Sequence, residues 1–286
     1  MIASLKSNFM IDEKTTQHKI IIGDSTKMVQ IDNNSIDLVI TSPPYPMIEM
    51  WDEMFNSVGA ITYEQMHNYL AMTWKECYRV LKQGGLMCIN IGDATRSIDH
   101  RFKIYPNHSR IIEKCEDIGF ESLPYILWQK PTNKPNAFLG SGFLPPNGYV
   151  TLDCEFILIF RKNGIRKFEP KDELRYNSTF TKQERDIWFS QVWNINGSQQ
   201  KNGSMKRRTA EYPNEIVERL IKMFSIIGDT VLDPFLGTGT TTAVAKQLNR
   251  NSIGYEIDKK LLPIIKEKVG YSQIKLIVND EIVVIE

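Results

Sequence analysis

Residues 229–242, DTVLDPFLGTGTTT, decide how this chain is read. A short apolar run at Val231 and Leu232 ends on Asp233-Pro234-Phe235, a turn follows with Gly237 and Gly239, and a helical pattern opens at 240–248. Glycines at a strand–turn–helix junction let the backbone approach a ligand closely. The turn has no Gly-Lys-Ser/Thr, so it is not the phosphate loop of nucleoside triphosphatases. The third glycine of a dinucleotide fingerprint would fall at Thr242, so that pattern fails too. The next strand, SIGYEI (252–257), carries Glu256, where folds of this kind place a carboxylate on ribose hydroxyls. The expected ligand is a nucleoside without a pyrophosphate.

Outward from that junction, strands alternate with helices. Strands are expected at 18–24 (HKIIIGD), 36–41 (IDLVIT), 86–93, 122–130, 154–162, 229–235 and 252–257, and helices at 63–82, 109–119, 212–224 and 240–248. Short continuous apolar runs suit a parallel sheet covered on both faces. Gly84-Gly85 is read as the stop of the 63–82 helix. The order of elements predicts an α/β, doubly wound sheet. Proline-, glycine- and asparagine-rich sequence at 131–149 reads as a linker or a functional loop, with aromatics at Phe138, Phe143 and Tyr149.

With 286 residues, 42% hydrophobic and 24% charged, the composition is that of an ordinary globular chain with room for a large core. No apolar run approaches the ~18 residues of a membrane span, and the N-terminus lacks the apolar centre of a secretory signal. Cys77, Cys88, Cys115 and Cys154 are scattered and read as buried free thiols of a reducing compartment, with no metal site. The net charge of +1 is unevenly spread: residues 161–208 hold twelve lysines and arginines against five acids, leaving −6 for the remainder. A basic segment of this kind suits a polyanion, or is a solvated loop.

Residues 41–46, TSPPYP, end the 36–41 strand on a rigid polar–Pro–Pro–aromatic corner, although proline is unsuited to a paired strand interior. Ser42 offers a hydroxyl oxygen and Pro43 a backbone carbonyl, which the fixed φ angles of Pro43 and Pro44 pre-aim; Tyr45 offers a flat face. S-adenosylmethionine fits the nucleoside expectation from the first junction: it adds a cationic sulfonium and an amino acid, which Asp233 is placed to meet.

TSPPY and DPFLGTGTT together resemble the amino-group DNA methyltransferases, which modify exocyclic nitrogens. The motif order, with a basic segment between, resembles the β group of that family over residues 18–258. The resemblance implies a mostly parallel seven-stranded sheet, the class I SAM-dependent methyltransferase fold, with 154–162 in its antiparallel edge pair and an inserted target-recognition region. The corresponding division is 1–162 for the catalytic half, 163–208 for target recognition and 209–286 for the SAM-binding half. Ser42, Pro43, Pro44 and Tyr45 become catalytic, holding the amine of a base flipped out of the duplex. Cofactor contacts are expected from Asp24, Thr41, Thr209, Glu211, Pro213, Asp233, Pro234, Phe235, Gly237, Thr238, Gly239, Thr240, Thr241, Glu256 and Asp258. DNA contacts are expected from Arg185, Asn196, Lys206, Arg207 and Arg208. Asp93 is a candidate pocket wall, and Trp128, in LWQKP, a core residue.

In the family Ser-Pro-Pro-Tyr is typical of cytosine-N4 enzymes and Asp-Pro-Pro-Tyr of adenine-N6 enzymes. The expectation is therefore a site-specific cytosine-N4 DNA methyltransferase acting on double-stranded DNA, of the restriction-modification kind. Adenine-N6 methylation is the alternative, and an RNA or protein amino-methyltransferase a further one; a non-enzymatic DNA-binding module is disfavoured by the intact motifs. The resemblance also implies a prokaryotic, cytoplasmic, nucleoid-associated protein and a homodimer.

Overall fold

The structure is a computed structural model and describes residues 16–131, 145–146, 148–197, 211–270 and 281–285, the last stretch as backbone. In chain order the elements are β1 (Gln17–Ile22), β2 (Ile36–Thr41), α1 (Asp52–Ser57), α2 (Tyr63–Val80), β3 (Leu81–Ile91), β4 (Ala94–Ile98), β5 (Arg101–Tyr105) and α3 (Asn107–Ile118). Then follow β6 (Glu121–Gln129), β7 (Cys154–Arg161), α4 (Glu173–Asn177), α5 (Lys182–Trp188) and β8 (Val192–Asn194). The last are α6 (Asn214–Phe224), β9 (Thr230–Asp233), α7 (Thr240–Gln247), β10 (Asn251–Glu256), α8 (Leu262–Val269) and β11 (Glu281–Ile285).

Among the described residues one nine-stranded sheet runs β11-β1-β10-β9-β2-β3-β7-β6-β8. Seven of these, β1 to β6 in that spatial order, are the strands expected from sequence; β11 and β8 add an edge on each side. β7 runs antiparallel between β3 and β6, as expected for 154–162, and the other pairings are parallel. This strand order, with β7 antiparallel, contains the seven-stranded sheet that the resemblance implies.

The central strand β2 is buried at all six positions, which suits its apolar run Leu38-Val39-Ile40 and leaves Asp37 and Thr41 as buried polar groups. Its side chains alternate between two layers. Val39 packs in the cluster of α2 and α3, with Leu70, Trp74, Cys77 and Ile111. Leu38 and Ile40 pack in the other, against Ile216, Val217, Leu220 and Ile221 of α6. The helix α2 starts on a capping box, in which the Thr62 hydroxyl accepts the Gln65 N–H and the Gln65 side chain accepts the Thr62 N–H.

Two expectations are corrected, and one observation is added. The helix α2 ends at Val80, not at the glycines: Leu81 turns extended and opens β3, so Gly84 and Gly85 lie inside a strand. Gly84 has φ +77, and a Cβ there would sit 2.3 Å from the Arg166 backbone nitrogen. The glycine admits the 165–166 backbone, a distant contact that local sequence does not announce. Second, residues 94–105 form the β4–β5 hairpin, where no element was expected. Third, the basic segment does not stand apart over its described part. Trp188, Trp193 and Ile195 are buried in the α6 layer, β8 extends the main sheet alongside β6, and the Trp128 indole donates to the Ile195 carbonyl at 2.8 Å. Trp128 is a core residue, as expected. Of the aromatics at 131–149, Phe138 and Phe143 lie outside the described residues, and Tyr149 packs on Phe102 with ring centres 4.6 Å apart.

Candidate active site

The four parallel strands β1, β10, β9 and β2 end side by side, and the loops that leave them wall a cleft of about 600 Å³. Ligand sites in open α/β sheets form outside the carboxyl ends of strands. Of the residues expected from sequence, Asp24, Ser42, Pro43, Pro44, Tyr45, Glu211, Pro234, Phe235, Gly237, Thr238, Thr240, Glu256 and Asp258 line this one cleft. The two motifs, distant in the chain, therefore face the same space.

Thr41, Pro213, Asp233, Gly239 and Thr241 do not line it. Asp233 is the instructive case. It is 1% exposed, and its carboxylate accepts hydrogen bonds from the Thr41 hydroxyl (2.7 Å), the Thr241 hydroxyl (2.6 Å), the Tyr212 hydroxyl (3.2 Å) and the Phe235 N–H (3.1 Å). Burial pushes its carboxyl up, and these donors pull it back. Its described partners all belong to the protein. It ties the clamp strand, the ligand turn, α7 and the 211–213 segment together behind the cleft wall. Tyr212, between two residues singled out in the sequence, completes this knot. Gly239 is also a packing glycine: it has φ +92, caps α7, and a Cβ would meet Ile265 and Val269 of α8 at 3.3 Å.

Glu256 is at the cleft with both oxygens engaged, Oε2 by the Gly237 N–H and Oε1 by the Asp258 N–H, each at 2.8 Å. Burial pushes its carboxyl up to about 7, and the two backbone donors oppose the shift. Asp24 is exposed at the end of β1, with Oδ1 accepting from the Thr26 N–H (2.8 Å) and the Tyr69 hydroxyl (3.1 Å). Glu211 accepts from the Thr240 hydroxyl at 2.6 Å and ion-pairs with Lys268 of α8. Lys268 also donates to Thr238 (3.1 Å) and Thr240 (2.7 Å), so it braces the ligand turn. No local motif marks Lys268; its helix has to be folded back against α7 before the contact exists.

The proline corner after β2 is held by the Ile48 N–H donating to the Tyr45 carbonyl (3.2 Å) and by the Asn107 side-chain Nδ2 donating to the Pro46 carbonyl (3.0 Å). The Tyr45 hydroxyl reaches a group of residues that the sequence reading missed. It donates to Glu155 Oε2 at 2.9 Å, receives Asn90 Nδ2 at 2.7 Å, and lies 3.2 Å from the Ser42 hydroxyl. Asn90 Nδ2 also donates to Glu155 Oε2 at 2.7 Å, and Lys130 ion-pairs with Oε1. Burial first, and then the Glu155 charge, push the Tyr45 phenol well up, so the hydroxyl keeps its proton. Glu155 and Asn90 lie within β7 and β3, where a polar residue in an apolar run was the available signal. Asp93 does not line the cleft; its carboxylate bonds the His108 ring Nδ1 at 2.8 Å.

The expected DNA contacts are spread out. Arg185 is exposed on α5, and its described partner is Asp186 at 2.7 Å. Asn196 is exposed just after β8. Thr209, Lys206, Arg207 and Arg208 lie outside the described residues. Arg166 reaches Asp229 (2.5 and 2.8 Å) and Asp37 (3.4 Å), at the starts of β9 and β2, the end of the sheet opposite the cleft.

The donor-rich chemistry of S-adenosylmethionine fits these walls. Its ribose diol, adenine amine and ammonium all give protons, and the cleft presents the carboxylates of Asp24, Glu211, Glu256 and Asp258. The comparisons agree. A family model described as DNA methylase, N6_N4_Mtase, matches residues 36–267. The chain is 60% identical over 282 residues to the type II methyltransferase M.MjaI of Methanocaldococcus jannaschii, covering 91% of this chain and 93% of that one. It is 46% identical over 273 residues to M.MthZI of Methanothermobacter thermautotrophicus, covering 89% and 77%. Among solved structures, a DNA modification methylase of Thermus thermophilus in complex with S-adenosyl-L-methionine superposes with a TM-score of 0.73 at 29% identity, covering 94% of this chain and all of that one. The PvuII DNA methyltransferase, cytosine-N4-specific, has the same fold at a TM-score of 0.65 and 18% identity, covering 92% and 89%.

Proposed function

The chain belongs to the N6_N4_Mtase family of DNA methylases, as a type II DNA methyltransferase that uses S-adenosyl-L-methionine, and from that premise we propose that it methylates the N4 amine of cytosine. The observation that carries the base assignment is Ser42: a neutral hydroxyl, not a carboxylate, stands beside Pro43 at the cleft.

The amino nitrogen of a nucleobase is a poor nucleophile, because its lone pair is delocalised into the ring. Two acceptors aimed at its N–H groups let it become tetrahedral. Ser42 Oγ and the Pro43 carbonyl are those acceptors, pre-aimed by the proline corner, so little order is lost at reaction. Tyr45 offers its ring to the flipped base, and stacking of this kind returns about 1–3 kcal/mol toward the cost of extrusion. When bound, the cofactor supplies an electrophilic methyl group. Glu256 takes the ribose hydroxyls, Asp24 the adenine amine, and Glu211 the ammonium.

A ring-carbon mechanism would need a cysteine nucleophile. None of the four cysteines lines the cleft, and burial pushes the thiols of Cys77, Cys88 and Cys115 up.

Sequence recognition is assigned within 163–208, to the part that returns to the cleft end of the sheet. The strand β8 runs parallel to β6 and delivers Asn196 there, whereas Arg166 is occupied at the far end. Self-association as a homodimer is part of the proposal, and sedimentation at assay concentration checks it.

Mass spectrometry of nucleosides from duplex DNA methylated by the chain tests the assignment. N4-methylcytosine is expected. N6-methyladenine would move the base assignment and keep the clamp, and 5-methylcytosine would overturn the mechanism.

A further inference from the structure

We propose that Glu155, held by Lys130 and Asn90, is a positioning residue that sets the direction of the hydroxyl protons on Tyr45 and Ser42, so that Ser42 faces the substrate amine as an acceptor. This rests on the reading of Ser42 as an amine acceptor and deepens it.

A serine hydroxyl has one proton and can donate or accept. A hydroxyl that spent its proton toward the amine would present a donor to an N–H group and oppose the reaction. The neighbours of Tyr45 remove the choice. The Glu155 carboxylate can only accept, so at 2.9 Å it takes the single Tyr45 proton. The Asn90 amide nitrogen can only donate, and at 2.7 Å it points a proton at the Tyr45 oxygen. The same nitrogen gives its other proton to Glu155 at 2.7 Å. The reverse amide orientation would set a carbonyl oxygen against both the carboxylate and the phenol oxygen. Lys130 holds the second Glu155 oxygen and fixes the carboxylate in place. Ser42 Oγ, 3.2 Å from a phenol oxygen whose proton is already committed, is left to donate to it. Its lone pairs then remain for the cleft. Asn90 Oδ1 is buried without a partner, so the amide contributes to the cluster through its two donors alone.

The ring face of Tyr45 is one function and its hydroxyl another. Neither Glu155 nor Asn90 lines the cleft; they act through Tyr45.

The test is a double-mutant cycle on single-turnover methyl transfer to duplex DNA, with Glu155→Gln and Ser42→Ala alone and together. Ser42→Ala is expected to slow transfer by roughly 100-fold, in the range for loss of one preorganised hydrogen-bonding group. Glu155→Gln is expected to slow it about tenfold in the parent and less than about twofold in the Ser42→Ala background, because the two act as one unit. DNA and cofactor affinities should stay within about twofold, which separates positioning from a structural role. Equal effects of Glu155→Gln in both backgrounds would overturn the proposal. If Ser42→Ala itself leaves the rate unchanged, the amine-acceptor reading fails first. Should Glu155→Gln not fold, Tyr45→Phe gives the same cycle, since it keeps the ring face and removes the hydroxyl; additivity there overturns the proposal equally.

Discussion

The Glu256 carboxylate, at the end of β10, accepts the backbone N–H of Gly237, in the turn after the neighbouring strand β9, at 2.8 Å. One side chain thus fixes the turn after β9 and lines the cleft, where we propose that it meets the cofactor's ribose.

Two consequences of the Glu256 contact are measurable. Its carboxyl is raised to about 7 by burial, so the folded protein binds this proton more tightly than the unfolded chain. Its contribution to stability is present below the ordinary glutamate range and is lost as pH rises through about 7. The cofactor's hydroxyls need the ionised form, so affinity should move the opposite way, rising up to about pH 7 and then levelling. Calorimetry in buffers of different protonation enthalpy should show proton release on binding near pH 6. Glu256→Ala should weaken binding by about 1–3 kcal/mol, and Glu256→Gln should flatten the pH dependence; unchanged affinity in both would exclude the ribose role.

Asp233→Ala should destabilise the protein with no cofactor present. The substitution leaves the buried Thr41 hydroxyl without its acceptor and the Tyr212 and Thr241 hydroxyls with only each other, a loss of about 2–4 kcal/mol by the cost of unmet buried hydrogen bonds. Urea denaturation of the cofactor-free protein measures it. A normal midpoint with weakened cofactor binding would mean that Asp233 meets the ligand directly after all.

Gly84→Ala should cost at least about 1 kcal/mol from the left-handed backbone alone, and more because the Cβ meets the Arg166 backbone. Arg166→Ala should cost about 2 kcal/mol, since Asp229 is buried and loses its bidentate partner. Both effects are read by thermal melting. Neither substitution should alter the salt dependence of DNA binding, because these residues sit at the far end of the sheet.

Arg185→Ala behaves differently if the basic segment meets phosphates. Arg185 is exposed and is paired to Asp186, its neighbour in sequence, so stability should change by less than about 0.5 kcal/mol. The slope of log affinity against log salt should become shallower by about 0.9, the share of one phosphate contact. An unchanged slope would remove Arg185 from the interface.

Much of this protein follows from its sequence. The apolar run Leu38-Val39-Ile40 of β2 marks a strand covered on both faces, and the glycines after Asp233 mark a close turn, so the sheet, the turn after β9 and the proline corner after β2 are written in local pattern. Gln65, three residues after Thr62, marks where α2 begins. Tertiary structure decided what the polar groups do once buried. Asp233 is expected from sequence to contact the ligand; the fold surrounds it with hydroxyls from residues 41, 212 and 241, which meet only there. Glu155 and Asn90 are polar residues inside strands that the sequence did not single out, and they acquire meaning because the antiparallel placement of β7 beside β3 brings both to the Tyr45 hydroxyl. The tryptophans of the basic segment outweigh its charge, since burying aromatic surface against α6 ties Trp188 and Trp193 to the main sheet. A local pattern carries periodicity and backbone freedom; the partner of a buried polar atom is a matter of which strands lie side by side.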